Sequence, residues 1–133
     1  MTPEERRIFL QNHRLCVLGV ERDARPPHLT PVYYVLDGDD LLISVTKSRV
    51  KTGLIRKAGR LSVCVLHEEF PFPYLTVSGR ATLAEEGAVD TMMRVGAKMQ
   101  GRELPDSMRP AIEERARTEG RVTLRLTPEA YYP

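Results

Sequence analysis

The stretch YLTVSGRATLA, Tyr74 to Ala84, decides the fold class. Leu75, Val77, Gly79, Ala81 and Leu83 share one face, and Thr76, Ser78, Arg80 and Thr82 share the other. That period of two is the mark of a strand with one buried side. A glycine at 79, inside the run, predicts a bulge or a close approach by another backbone. RVTLRLTP, Arg121 to Pro128, alternates in the same way.

Working outward, four more runs read as strands: RLCVLGVER (14–22), HLTPVYYVL (28–36), LLISVT (41–46) and RLSVCVLH (60–67). DARPP turns the first back on the second, and DGDD joins the second to the third, so these three form an antiparallel meander. Helices fill the gaps. Thr2 caps the first, with Pro3 at its first position, Glu5 completing a capping box, and an end near Asn12 or His13. Val50, Leu54 and Ala58 recur at helical spacing, so Val50 to Ala58 is a short helix stopped by Gly59. Glu85 to Gln100 and the stretch PDSMRPAIEERART are two further helices, ended by Gly101 and Gly120. The expected fold is mainly β with helices: a six-stranded antiparallel barrel formed by one domain over residues 1–133.

The composition, 41% hydrophobic and 29% charged, is that of a globular domain. A net charge of +2 is no polycation. No apolar run approaches the roughly 20 residues that cross a bilayer, and MTPEERRIF lacks the apolar centre of a signal peptide. The expected location is the cytosol, with no membrane partner. Cys16 and Cys64 each sit within an apolar run and read as free, buried thiols.

The sequence carries no self-sufficient catalytic apparatus. His13, His28 and His67 do not pair at metal-ligand spacing, and alternation sends Cys64 and His67 to opposite faces of a strand, so no metal site is expected. Asp37, Asp39 and Asp40 read as turn residues. Neither a Gly-x-Ser-x-Gly elbow nor a phosphate-binding Gly-rich loop is present. Reactivity would come from a bound cofactor.

One segment points to an anion. SVTKSRVKTGLIRKAGR, Ser44 to Arg60, holds Lys47, Arg49, Lys51, Arg56, Lys57 and Arg60 and no acid. The last three suit the negative end of the helix dipole. The first three oppose its positive end, and cations converging there with free N–H groups make a phosphate site, the alternative from spacing alone being a solvated loop. Single-stranded nucleic acid on an OB-like barrel is the remote alternative. It is disfavoured by 6% aromatic content, no Trp, and no aromatic among the basic residues.

Taken together, RPPHLTPVYYVLDGDDLLISVT, SRVKTGLIRKAGRLSVCVL, YLTVSGRATL and RVTLRLTPEAYY are similar, in order and spacing, to the pyridoxamine-phosphate-oxidase-like flavin split-barrel superfamily. They resemble its deazaflavin-dependent branch most. The resemblance implies a homodimeric split barrel with two cofactor sites at the subunit interface. It implies an oxidoreductase that uses the deazaflavin coenzyme F-420, with FMN as the alternative, to pass hydride to a small organic acceptor. A non-catalytic flavin- or haem-binding module is a further alternative. Carried over, Arg49 and Lys51 hold the cofactor phosphate, with Thr52 adding a hydroxyl or amide and Val50 beside them. Ser44, Val45 and Thr46 lie along the ring and ribityl chain, and Pro31 and Val32 approach the ring. Lys57, with Lys47, Arg56 and Arg60, meets the acidic tail of a deazaflavin. Phe72 and Tyr74 reach the partner's cofactor or cap their own barrel, and Tyr33, Tyr34 and Tyr74 are the candidate proton donors. The sequence ends in TPEAYYP without the Arg and His substrate motif of true pyridoxamine-phosphate oxidases, so that activity is not expected.

Overall fold

The structure is a computed structural model describing residues 1–133. Helix α1 (Pro3–Asn12) leads into strands β1 (Leu15–Arg22), β2 (Arg25–Tyr33), β3 (Val35–Asp37) and β4 (Asp40–Thr46). Helix α2 (Val50–Ala58), β5 (Arg60–Leu66) and β6 (Tyr74–Ala84) follow. Helix α3 (Ala88–Gln100), a 3₁₀ turn (Asp106–Met108), α4 (Arg109–Glu119) and β7 (Arg121–Tyr132) complete the chain. The strands form one antiparallel sheet in the order β2-β1-β5-β6-β7-β4-β3. No helix is long and apolar enough to cross a membrane.

The count of seven strands corrects the expected six, and Tyr34 is the reason. The run His28 to Leu36 is not one strand. As far as Tyr33 it pairs with β1, and from Val35 it pairs with β4 at the opposite end of the sheet order. At the break, Tyr34 is fully buried and its hydroxyl donates to the Leu10 carbonyl at 2.7 Å. Its N–H donates to the Arg14 carbonyl at 3.1 Å. A buried phenol without a partner would cost about 1–3 kcal/mol, so this bond fixes where the strand divides. The two ends of the sheet are thereby consecutive in the chain, and the sheet curls back on itself.

Alternation places Leu75, Val77 and Ala81 of β6 in the core with Val63 and Val65 of β5 and Leu124 and Leu126 of β7. Gly79 marks the bulge between β6 and β7, where the register shifts. A Cβ at position 79 would stand 2.0 Å from the Thr127 carbonyl oxygen, so only glycine fits. The capping box is present: Thr2 accepts from the Glu5 N–H at 3.1 Å, and Glu5 accepts from the Thr2 N–H at 2.8 Å.

Helix α2 has the expected bounds, with Gly59 left-handed after it. Helix α3 starts three residues later than the periodicity of Glu85 to Gln100 suggests, because Gly87 at φ 80° cannot be its first turn. The PDSMRPAIEERART stretch divides into the 3₁₀ turn and α4. Strand β7 runs on to Tyr132, four residues past the alternating segment, and pairs with the start of β6. Ala88, Thr91, Met92 and Val95 form the buried side of α3, and Thr123 of β7 donates to Thr91 at 2.8 Å. That packing brings α3 alongside β4. Cys16 is buried, Cys64 is half-buried on the opposite side of the sheet, and both are free thiols.

Candidate cofactor cleft

The basic stretch begins where β4 ends. Ser44 and Thr46 flank Val45, whose side chain is 1% exposed in the core, so their own side chains project the other way. There they line a cleft of ≈ 450 Å³ with Arg49 and Lys51. One wall is apolar: Val32 and Tyr33 from β2, Met92, Val95 and Met99 from α3. The other rim is cationic, since Arg115 of α4 and Arg121 of β7 join Arg49 and Lys51.

The electrostatics of this rim are unbalanced. Burial, then the neighbouring Arg49 and Arg121, hold the Lys51 ammonium below the usual lysine range. Glu119 is the one acid bonded to the cluster. It accepts from Arg121 at 2.9 Å and from Arg115 at 3.3 Å, and these two bonds hold its carboxyl below the usual range. Arg121 also donates to the Ser44 carbonyl at 3.3 Å. Helix α2 begins with no side-chain cap and no acid in its first turn, so nothing on the helix offsets the charge of Arg49 and Lys51 at its positive end. The hydroxyls of Ser44 and Thr46 are buried with no hydrogen-bond partner. Buried polar groups are almost always paired, so two orphan hydroxyls beside four cations suit a polar, anionic ligand.

The structure brings together Val32, Ser44, Val45, Thr46, Arg49 and Lys51. The other sequence candidates stand elsewhere. Thr52 is fully buried and donates its hydroxyl to the Thr46 carbonyl at 2.6 Å, so it braces the turn. The Val50 side chain is 68% exposed, outside the cleft. Pro31 faces outward from β2 opposite Val17. Lys57 lies at the far end of α2, 2.5 Å from Asp23. Lys47 pairs with Glu85, and Arg60 with Glu129, so no cationic strip forms along α2. Tyr74 is half-exposed at the start of β6, beyond the loop in which Phe70 and Phe72 stack edge to face. Of the candidate proton donors, Tyr33 lines the cleft, whereas Tyr34 is in the core.

Arg115, Arg121 and the α3 wall were not found from sequence. The spacing of Met92, Val95 and Met99 was a visible signal, since it marks one helix face. Arg121 starts an alternating strand, but its register opposite Thr46 is a long-range pairing. A further cavity, ≈ 630 Å³, lies elsewhere, between Gly19, Leu29, Ser62 and Ser78 on the outer face of the sheet. It holds none of the four cations.

The sequence as a whole matches the pyridoxamine 5'-phosphate oxidase family over residues 2–133. The chain belongs to that family. No curated protein matches it in sequence. Among solved structures it is similar to the conserved hypothetical protein Rv2991 from Mycobacterium tuberculosis, with 18% identity and a TM-score of 0.86, covering 98% of this chain and 82% of that one. It is also similar to an F420 reductase, with 19% identity and a TM-score of 0.75, covering 94% of each chain. The haem storage protein HutZ from Vibrio cholerae shares 14% identity and a TM-score of 0.71, with 98% and 92% covered. At these identities the likenesses establish the split-barrel fold of the family.

Proposed function

We propose that this protein is an oxidoreductase that binds a flavin-type cofactor, the deazaflavin coenzyme F-420, in the cleft between β4, α2 and α3. The observation that carries the reading is the joining of an apolar wall to a rim of four cations and two unpartnered hydroxyls. A planar ring suits the wall of Val32, Met92 and Val95, and a polar, anionic chain suits the rim. Arg49 and Lys51 would hold the phosphate, and Ser44 and Thr46 would satisfy their hydroxyls on the polar chain. Arg115 and Arg121 would meet further negative charge. A phosphate monoester carries about −1.5 to −2 at neutral pH. Four cations against the single acid Glu119 exceed that, which favours the longer, carboxylate-bearing cofactor.

When bound, such a cofactor supplies hydride transfer to a small organic acceptor. The chain's own part is to orient the ring and exclude water, with Tyr33 as the phenol that lines the cleft. FMN is the second reading. Glu119 neutralises part of the Arg115 and Arg121 charge and leaves Arg49 and Lys51 as a clamp for one phosphate.

The proposal includes a homodimer. On the outer face of β1 and β2, Val17 is 36% and Leu29 66% exposed, beside the ≈ 630 Å³ cavity. A second copy of the chain would cover them. Separate titrations with F-420 and FMN, followed by absorbance and ring fluorescence, test the cofactor. Saturable binding of F-420, lost in Arg49→Ala with Lys51→Ala while circular dichroism is unchanged, is expected. Failure to bind either compound overturns the reading, and a monomer in sedimentation removes the dimer.

A further inference from the structure

We propose that His13 and His67 form a binding site for one divalent transition-metal ion of the zinc, nickel or copper class. The two residues are far apart in sequence, and the fold brings the end of α1 against the end of β5. His13 Nε2 and His67 Nδ1 face each other at 3.3 Å. Two imidazole nitrogens bound tetrahedrally to one zinc at about 2.0–2.1 Å stand roughly 3.3 Å apart, so the spacing already suits an ion between them. The rings are nearly perpendicular, at 85°, with centroids 5.3 Å apart.

The outer nitrogen of His13 already has the support that a metal-bound histidine needs. His13 Nδ1 lies 2.8 Å from the Phe9 carbonyl oxygen, which can only accept. His67 Nε2 lies 3.7 Å from a Glu69 carboxylate oxygen, and Glu69 is 83% exposed and free to close that gap. With its Nδ1–H given to Phe9, His13 presents a bare Nε2 that accepts from the Nδ1–H of His67; when the His67 proton moves to Nε2 and Glu69 closes on it, both inner nitrogens are free to bind an ion. A metal ion between them takes the place of the proton that otherwise bridges the pair. An outer N–H given to a carbonyl or carboxylate is also the usual support of a metal-bound histidine. The stacking of Phe9 on His13, with centroids 4.2 Å apart, holds the first ring in place.

No three His, Cys, Asp or Glu side chains converge on one point, so the remaining positions fall to water. Lys98, which lines the neighbouring hollow, turns its ammonium onto the Tyr34 ring and the Leu10 carbonyl.

The test uses the full chain, without a histidine tag, after chelator treatment. Zn²⁺ is titrated by calorimetry and Co²⁺ by visible absorbance. Saturation at one ion per chain is expected, abolished in His13→Gln and in His67→Gln and weakened about tenfold in Glu69→Gln. The melting temperature should rise with Zn²⁺ in the wild type only. If either histidine variant fails to fold, wild-type NMR with Co²⁺ decides: the ring signals of His13 and His67 should shift and those of His28 should not. Absence of saturable binding, or perturbation of His28 in place of the pair, overturns the proposal.

Discussion

Thr52 donates its hydroxyl to the carbonyl of Thr46 at 2.6 Å and so ties the first turn of α2 to the last residue of β4. Arg49 and Lys51 lie inside that tie. Their position relative to Ser44 is therefore fixed before any ligand arrives. Thr52→Val keeps the volume and removes the donor, leaving a carbonyl short of a partner, at a cost of about 1–3 kcal/mol. Urea denaturation should show the lowered midpoint with an unchanged slope, and Thr52→Ser should recover most of it.

Lys51 makes the cleft sensitive to alkali. Burial and the charges of Arg49 and Arg121 favour its neutral form, so it loses its proton at a lower pH than an ordinary lysine. An anionic ligand favours the protonated form, and affinity should fall as pH rises through that depressed pKa. Lys51→Arg keeps its charge throughout and should flatten the fall. Binding titrations across the alkaline range check this, and parallel curves for the two proteins would exclude Lys51 from the clamp.

Glu119 competes with a ligand for Arg115 and Arg121. Glu119→Gln should strengthen binding of a ligand with several anionic groups by a few-fold, and should affect a single phosphate less. Added salt should shrink the difference, because the rim is open to solvent and charges there are screened within about 10 Å at 0.1 M. Isothermal titration at two ionic strengths measures both effects.

Gly79→Ala tests the bulge. The added methyl meets the Thr127 carbonyl oxygen at 2.0 Å, and backbone on both strands would have to move. A loss of roughly 3 kcal/mol is expected. A change at Gly53, with no atom within 4 Å of an added Cβ, serves as the control.

The sequence made the local features legible. Alternation in β6, the capping box at Thr2 and the bounds of α2 all follow from spacings within a dozen residues. So did Arg49, Lys51, Ser44 and Thr46, which one strand and the turn after it carry to the same place. Tyr34 escaped because nothing in HLTPVYYVL says that pairing changes partner there; the change depends on Leu10 and Arg14. Arg121 and Arg115 escaped for a similar reason. Their place in the cleft depends on β7 pairing with β4 and on α4 packing against β7. Lys57 stands apart from the cleft and pairs with Asp23, a partner that nothing in the sequence beside it reveals.

The division at Tyr34 also bears on self-association. A sheet that ended in two open strands would offer backbone donors and acceptors to any passing chain. Here the two terminal strands, β2 and β3, are successive pieces of one run. β2 holds Pro26, Pro27 and Pro31, each without an N–H to give. β3 is only three residues long. Short length and missing donors leave little for a misfolded neighbour to zip onto, so the fold guards its margins against amyloid-like growth.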